Sequence, residues 1–92
     1  MNSTAMELAK SVDLPKWARP SFTVPQLAVL AVIRDSGYRS RNGECHLPLR
    51  EIAQRAGVRT DTVTKTLVIA LAVGVVERVR RGIVNRHIHY SG

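Results

Sequence analysis

Basic side chains crowd the C-terminal part of this chain, and their chemistry is the binding of phosphate or another anion. Arg78, Arg80, Arg81 and Arg86 follow one another closely, and Glu77 is the one acidic residue among them. An isolated arginine is usually a solvated surface group, but four around one predicted turn exceed that pattern. Because a guanidinium matches phosphate oxygens in both geometry and charge, this stretch favours a polyanionic partner.

The overall charge agrees with this local pattern. The 92 residues contain 14 Lys and Arg against 7 Asp and Glu, which gives a net charge of +7. The excess is +1 over residues 1–22, +2 over residues 23–56 and +4 over residues 57–92. Nucleic acid is the first partner that such a balance predicts, and an anionic membrane surface is the second.

A second set of polar residues precedes the arginines and begins a predicted helix over residues 60–73. Lys65 and Arg59 suit phosphates, whereas Thr60 and Thr64 suit base edges or a thymine methyl group. The alternative is a solvated helix face. The full set of candidate contacts on and before this helix is Arg59, Thr60, Thr62, Thr64 and Lys65, with Arg50, Gln54 and Arg55 on the preceding helix as candidates for backbone contacts.

Two short helices that meet at a glycine must position these residues. Apolar side chains recur at helical spacing in both, with Leu49, Ile52, Ala53 and Ala56 in the first and Val63, Thr66 and Leu67 in the second. Gly57 stands where the first helix needs a left-handed stop, and Val58 can fill the angle between the two. A tight helix-turn-helix of this kind is typical of proteins whose second helix protrudes into a DNA major groove.

Other elements surround this pair. A capping box at Thr23 and Gln26 predicts a helix to about residue 34, followed by a polar loop over residues 35–43 and a strand over residues 44–47. Gly74 ends the helix over residues 60–73. A strand over residues 75–79, a turn at Gly82 and a strand over residues 85–90 predict a hairpin.

The order of these elements resembles the small bacterial winged helix-turn-helix domains of transcriptional regulators and of plasmid, phage and mobile-element proteins. The resemblance covers about residues 23–90 and identifies a fold more than a particular task. It implies a mainly α fold with a small β-hairpin, a winged helix-turn-helix over residues 23–92 and an N-terminal arm over residues 1–22. The residues that carry it are Leu27 to Leu30, Gly43 to Ala53, Gly57, Val58, Thr62, Val63, Leu67, Gly74 to Arg78, Arg80 to Gly82, Asn85 and Arg86.

The chain departs from that family pattern at two places. Arg59 occupies the usual cap position and Asp61 follows it, although Thr60 can cap instead and Asp61 favours a helix N-terminus electrostatically. The second departure is an apolar helix face that something must cover, formed by Val68, Ile69, Leu71 and Ala72. Either the N-terminal arm covers it, with a short helix over residues 4–10 and an extended part carrying Trp17 and Phe22, or a second subunit does.

A metal site and an enzyme are weaker interpretations of the same sequence. If the strand over residues 44–47 paired with the last strand, His46 could approach His87 and His89, but their spacing matches no established zinc pattern. The acidic residues are scattered and no glycine-rich phosphate loop follows a strand, so we expect neither catalysis nor a cofactor. The single cysteine, Cys45, fits a reducing cytosol, and the longest apolar runs fall short of the roughly 20 residues that cross a bilayer.

The sequence therefore predicts a cytoplasmic, nucleoid-associated protein that binds double-stranded DNA, with no membrane partner. Transcriptional regulation is the first hypothesis, with the helix over residues 60–73 in the major groove and the arginine hairpin on the flanking backbone. One alternative is a protein-interaction module or antiactivator that uses the apolar helix face. Another is a replication or recombination accessory protein that coats DNA with little sequence preference. A homodimer is compatible with each hypothesis.

Overall fold

The computed structural model describes residues 3–92, which form four α-helices, one 3₁₀ helix and five short strands. In chain order the elements are α1 (Ser3–Lys10), β1 (Val12–Asp13), the 3₁₀ helix (Arg19–Ser21), α2 (Val24–Arg39), β2 (Glu44–Cys45), α3 (Leu49–Ala56), α4 (Thr60–Val73), β3 (Val76–Val79), β4 (Gly82–Asn85) and β5 (His89–Tyr90). The predicted class, mainly α with a small β-hairpin, is confirmed.

Helix α2 forms the centre of the molecule, since every residue from Leu27 to Arg34 is buried. It begins at the predicted capping box, where Gln26 Oε1 accepts a hydrogen bond of 2.9 Å from the Thr23 amide. The predicted end near residue 34 is wrong, because Arg34 is itself buried and the helix continues to Arg39. Gly37 permits this path: a Cβ there would lie 2.8 Å from the Gly43 carbonyl oxygen.

Helices α3 and α4 adjoin at a left-handed glycine, as the sequence predicts. Gly57 has φ = 72°, and the amide of Val58 donates 3.0 Å to the Ala53 carbonyl. Helix α4 has the predicted bounds and ends at Gly74, which has φ = 87°. Both glycines occupy the backbone region that other L residues avoid.

The buried stripe of each helix agrees largely with the predicted one. Ile52, Ala53 and Ala56 are buried in α3, as are Val63, Thr66 and Leu67 in α4. Leu49 is an exception, because it lies at the start of α3 and is 43% exposed. It becomes part of the surface described below.

The three-stranded sheet has the order β2-β4-β3, with antiparallel pairs throughout. Arg80 and Arg81 form the turn between β3 and β4, so the predicted turn at Gly82 is displaced and Gly82 begins β4. A Cβ on Gly82 would overlap the Cys45 carbonyl oxygen, because β2 passes close by. The hairpin is therefore held against β2 at a position where a side chain does not fit.

The predicted strand over residues 85–90 is interrupted. Asn85 turns the chain, since its side chain accepts from the Ile88 amide at 2.7 Å and donates to the Ile88 carbonyl at 2.8 Å. Strand β5 then leaves the hairpin and pairs antiparallel with β1, with Val12 opposite Tyr90. The strand β2 pairs with β4 instead of with this last strand.

Residues 3–22 are integrated into the same hydrophobic core as the rest of the chain. The predicted short helix is present as α1, which packs against α2 and buries Ala5 and Ala9. The prediction of an extended arm beyond it is wrong, because β1, a turn and the 3₁₀ helix follow, and Val12 and Phe22 are buried. The apolar side chains of residues 3–22 join the core because α2 and β5, which are distant in the sequence, pack against this segment.

Candidate nucleic-acid interface

The exposed face of α4 carries four of the predicted polar contacts. Thr60, Thr64 and Lys65 are exposed, whereas Thr62 is partly buried. The opposite face holds the helix to α2 and α3, with Val63 and Ala70 fully buried. Because one side of the helix is buried, the other faces solvent, and the Lys65 side chain is exposed there. On the same helix, the Thr64 hydroxyl donates a hydrogen bond of 3.3 Å to the Thr60 carbonyl.

Arg59 and Asp61 form a surface ion pair at the beginning of α4. Arg59 Nε lies 3.4 Å from Asp61 Oδ1, and the two side chains are 88% and 58% exposed. Arg59 is the N-cap residue, and Thr60 is the first residue of the helix. An exposed pair of this kind contributes at most about 1 kcal/mol, so an incoming anion could displace Asp61 from Arg59.

The hairpin presents its arginines in two directions. Side chains alternate along a strand, so Arg78 shares a sheet face with Val76 and with Ile83 opposite it, both of which are buried. Glu77 belongs to the other face. Arg80 and Arg81 project from the turn and are exposed.

One groove joins the exposed side of α4 to the hairpin. It has a volume of about 420 Å³ and runs between the start of α3, the middle of α4 and the β3–β4 turn. Thr64 and Val68 border it from the helix, and Arg78 and Arg81 border it from the hairpin. The structure therefore brings together parts of the two candidate sets that the sequence treats separately.

Arg86 lies outside this arrangement. It forms an ion pair with Glu77, with 3.0 Å between Arg86 Nε and Glu77 Oε2, on the sheet face opposite to Arg78. Its backbone amide donates 2.9 Å to the Val75 carbonyl, just after α4 ends. The sequence grouped four arginines in one cluster because it placed Arg86 in the same strand as Tyr90, and the chain turns at Asn85 instead.

The candidates on α3 are also divided. Arg50, Gln54 and Arg55 are all exposed, and Arg55 pairs with Glu51 at 2.8 Å. Arg55 borders a different depression, which lies against Asp35 and Arg39 of α2. It is therefore separate from the groove beside α4.

The apolar residues proposed to need a cover differ in exposure. Val68 is 64% exposed and Ala72 is exposed, but Ile69 and Leu71 are partly buried against the core. The expected cover by the N-terminal segment is not formed over Val68. Phe22 is buried in the core, and Trp17, 56% exposed, contacts the His87 ring at a centroid distance of 5.3 Å.

The three histidines are dispersed over the surface. His46 Nε2 and Glu44 Oε1 share a hydrogen bond of 2.7 Å, His87 contacts Trp17, and His89 lies in β5. Within residues 3–92, His, Cys, Asp and Glu form no group of three or more with the spacing of a metal site. The strand pairing that would have brought His46 near His87 and His89 is absent there.

Ten of the fourteen Lys and Arg side chains form no ion pair within residues 3–92, and four of these ten lie on α4 and the β3–β4 hairpin. Across residues 3–92 there are five ion pairs, and their acidic members are Asp35, Glu44, Glu51, Asp61 and Glu77. None of these five pairs involves Lys65, Arg78, Arg80 or Arg81. These four cations retain their charge for an external anion, and they lie on α4 and the hairpin that flank the groove.

One charged residue escaped the sequence interpretation altogether. Arg34 is 3% exposed, and its guanidinium donates to Asp35 Oδ1 at 3.0 Å, to the Ser11 carbonyl at 2.8 Å and to Ser11 Oγ at 3.0 Å. It also lies 3.7 Å from the centroid of the Tyr90 ring. Apart from Asp35, its partners are distant in sequence, so the main local signal was an arginine directly after a run of apolar residues.

Tyr90, which is 54% exposed, completes the Arg34 cluster from β5. Its hydroxyl donates to Asp35 Oδ1, and this hydrogen bond, followed by burial and by the Asp35 charge, raises the pKa of Tyr90. Arg34 opposes the change and lowers the pKa. The cluster joins α2 to both β1 and β5, and its arginine has no accessible surface to offer a ligand.

No helix within residues 3–92 is both long and apolar enough to span a bilayer. Comparison of the chain with protein families, with curated proteins and with solved structures finds no match. The assignment of function therefore depends on the chemistry of this surface.

Proposed function

We propose that this chain is a winged helix-turn-helix domain that binds double-stranded DNA and regulates transcription. The observation that carries the proposal is the position of four cations that form no ion pair within residues 3–92, Lys65, Arg78, Arg80 and Arg81, on the two elements that flank one groove. A protein that holds several unneutralised cations around a protruding helix has the arrangement that a phosphate backbone requires.

In this proposal α4 enters the major groove. Thr60 and Thr64 face base edges, where a threonine can donate, accept or contact a thymine methyl group. Lys65 lies one residue further along the exposed face and neutralises a phosphate. Asp61 accepts from a cytosine amine once Arg59 exchanges its weak surface partner for a phosphate.

The hairpin contacts the DNA backbone that flanks this major groove. Arg80 and Arg81 at the turn reach furthest from the core, so they contact phosphates or enter a narrow minor groove, whose negative potential attracts arginine. Arg78, further from the turn, contacts a phosphate between the major and minor grooves of the DNA. Arg50 and Gln54 supply backbone contacts from α3, whereas Arg55 and Arg86, each already paired with a glutamate, lie outside the interface.

Selection of bound sequences from random duplex DNA tests this function directly. A regulator enriches a defined site, a protein that coats DNA binds without enrichment, and a protein of another function recovers no DNA. Binding to the selected site should follow a log–log salt slope of about −4 to −5 if roughly four to six phosphates are neutralised. A flat salt response would exclude the proposed interface.

A second candidate function is protein interaction, with or without DNA. The exposure of Val68, together with Ala72 one turn further along α4, favours it. A homodimer formed through these residues would also present two copies of α4 to a symmetric site and would associate with the nucleoid through DNA. Light scattering coupled to gel filtration gives the mass, and Val68→Glu should dissociate a dimer without unfolding the chain because Val68 is mostly exposed.

A further inference from the structure

We propose that the groove between α4 and the β3–β4 hairpin binds a small organic acid with an apolar body, and that this ligand and DNA exclude each other. The binding site is inferred from the groove itself. The mutual exclusion rests on the proposed DNA-binding function. The ligand class follows from the apolar lining, the charge and the size of the groove.

The lining of the groove is largely hydrocarbon. Leu67, Leu71 and Ile83 form its deeper part, while Leu49 and Val68 stand at its rim and remain 43% and 64% exposed. Water at such a surface is displaced favourably by an apolar group, at about 25 cal/mol per Å² of area removed from water. Duplex DNA offers only thymine methyl groups to this lining, so a hydrocarbon body suits it better.

The polar part of the lining selects an acid. Arg78 and Arg81 border the groove, and neither belongs to any of the five ion pairs in residues 3–92. Two other ionisable side chains border the groove: His46 already bonds Glu44 at 2.7 Å, and Cys45 is buried. A carboxylate or sulfonate beside the two arginines would gain charge-assisted hydrogen bonds that a neutral or cationic head could not form.

The size of the groove favours a small molecule over a segment of protein. Its volume of about 420 Å³ falls within the range of roughly 300–1,000 Å³ that is usual for small-molecule sites. A second depression, lined by Met6, Lys10 and Arg19 among others, also combines apolar and basic residues but holds about 180 Å³. That is below the usual range, and this depression serves as an internal comparison.

Occupation of the groove would interfere with DNA directly. A head group on Arg78 and Arg81 neutralises two of the four unpaired cations on α4 and the hairpin, and the apolar body covers Thr64 on the face proposed to meet base edges. If binding is mutually exclusive, the apparent Kd for DNA rises about elevenfold when the ligand is present at ten times its own Kd. The ligand would thus release the protein from DNA without a conformational change.

The site can be tested on the full chain without DNA, with 8-anilinonaphthalene-1-sulfonate as the probe. We expect one fluorescent probe molecule to bind per folded chain. Decanoate should displace it, whereas decanol and decyltrimethylammonium at equal concentration should not, because they lack the acid. Equal displacement by all three would overturn the requirement for an acid.

Matched variants locate the site. Val68→Ser and the double variant Arg78→Gln/Arg81→Gln should each raise the Kd of the probe about tenfold, which corresponds to about 1.4 kcal/mol. Met6→Ser removes an exposed apolar side chain elsewhere, and Arg86→Gln removes a positive charge from the opposite sheet face; both should leave the Kd unchanged. Loss of the probe in Met6→Ser, or no effect of the groove variants, would overturn the site.

A second measurement separates this proposal from the proposed function. Fluorescence anisotropy with a labelled duplex should show competition between DNA and decanoate, and Val68→Ser should reduce that competition. Unchanged DNA affinity at saturating decanoate would overturn the mutual exclusion and leave the ligand site intact. Absence of any DNA binding would refute the function, whereas the ligand site would still be judged by the probe and its variants.

Discussion

Two groups of arginines in this chain have opposite environments. Arg34 is buried in α2, and all its nearby acceptors belong to the protein: Asp35, Ser11 and the His89 carbonyl, which lies at 3.3 Å. Arg78 and Arg81 lie beside an open groove, and no acidic side chain of residues 3–92 pairs with either. The same guanidinium chemistry therefore serves the fold at one place and is available to an external partner at the other.

The difference shows why a count of arginines is a poor guide to binding. A guanidinium that is fully bonded inside the protein adds to the net charge of +7 but adds no contact for a phosphate. Arg55, Arg59 and Arg86 are intermediate, because each is paired with a carboxylate at the surface. The position and the pairing state of a cation, more than its presence in the sequence, indicate whether it belongs to the proposed interface.

The largest expected effect comes from the removal of the buried arginine. Arg34→Met should lower the free energy of unfolding by about 3–5 kcal/mol, since it removes the guanidinium that donates to the Ser11 carbonyl and hydroxyl and leaves Asp35 without its ion-pair partner. Urea unfolding followed by circular dichroism measures it. Arg34→Lys, which retains the charge but not the forked donors, should fall between the wild type and Arg34→Met; a neutral effect of both would show that the cluster is dispensable.

A smaller loss of stability is expected beside the turn of the hairpin. Gly82→Ala places a methyl group against the Cys45 carbonyl oxygen and should cost about 1–3 kcal/mol through displaced backbone. The β2–β4 hydrogen bonds should exchange faster in the variant, as amide exchange by NMR would show. Equal exchange rates in Gly82→Ala and the wild type would contradict the close approach.

The hairpin arginines should show the converse behaviour, with binding lost and stability kept. Arg78→Gln/Arg81→Gln should change the free energy of unfolding by less than about 0.5 kcal/mol, because both side chains lie at the surface. The salt slope of DNA binding should become less negative by about 1.8, since two phosphate contacts are lost. Arg55→Gln/Arg86→Gln, which removes two positive charges outside the proposed interface, provides the charge-matched control, and an identical slope change in that variant would mean that net charge alone governs binding.

The smallest effect concerns the dependence of stability on pH. The hydrogen bond to Asp35 raises the pKa of Tyr90 in the folded state, so the neutral phenol stabilises the fold. This contribution is complete below the ordinary tyrosine pKa of about 10 and is lost as the pH rises through the folded value. Unfolding titrations should therefore show a steeper decline above about pH 10 in the wild type than in Tyr90→Phe. Parallel curves would contradict the assignment.

Local signals allowed α3 and α4 to be predicted from the sequence, including the stops at Gly57 and Gly74. A capping box, a left-handed glycine and a stripe of apolar residues all act within one or two turns of helix, so short stretches contain the information. The end of α2 did not follow from such signals. Arg34 is stable inside the helix only because Ser11 and His89, far away along the chain, supply acceptors.

The candidate interface was likewise predictable only where local signals determine it. The exposure of Thr64 and Lys65 followed from the buried face of α4. The division of the arginines did not, because it depends on the turn that Asn85 makes through two hydrogen bonds to Ile88. Side-chain alternation then sends Arg78 toward the groove, while Arg86, beyond the end of β4, pairs with Glu77 on the other sheet face.

The pairing of β1 with β5 has a consequence for how the molecule opens. The amide of Ser91 donates 2.9 Å to the Ser11 carbonyl, and the Arg34 guanidinium bonds the carbonyls of both Ser11 and His89. Strands of two residues are marginal on their own, and amide protons beside them usually exchange rapidly with solvent. Here β5 is held by contacts with residues that are distant in the sequence. Deuterium uptake at Ser91 should therefore report cooperative unfolding of the entire domain.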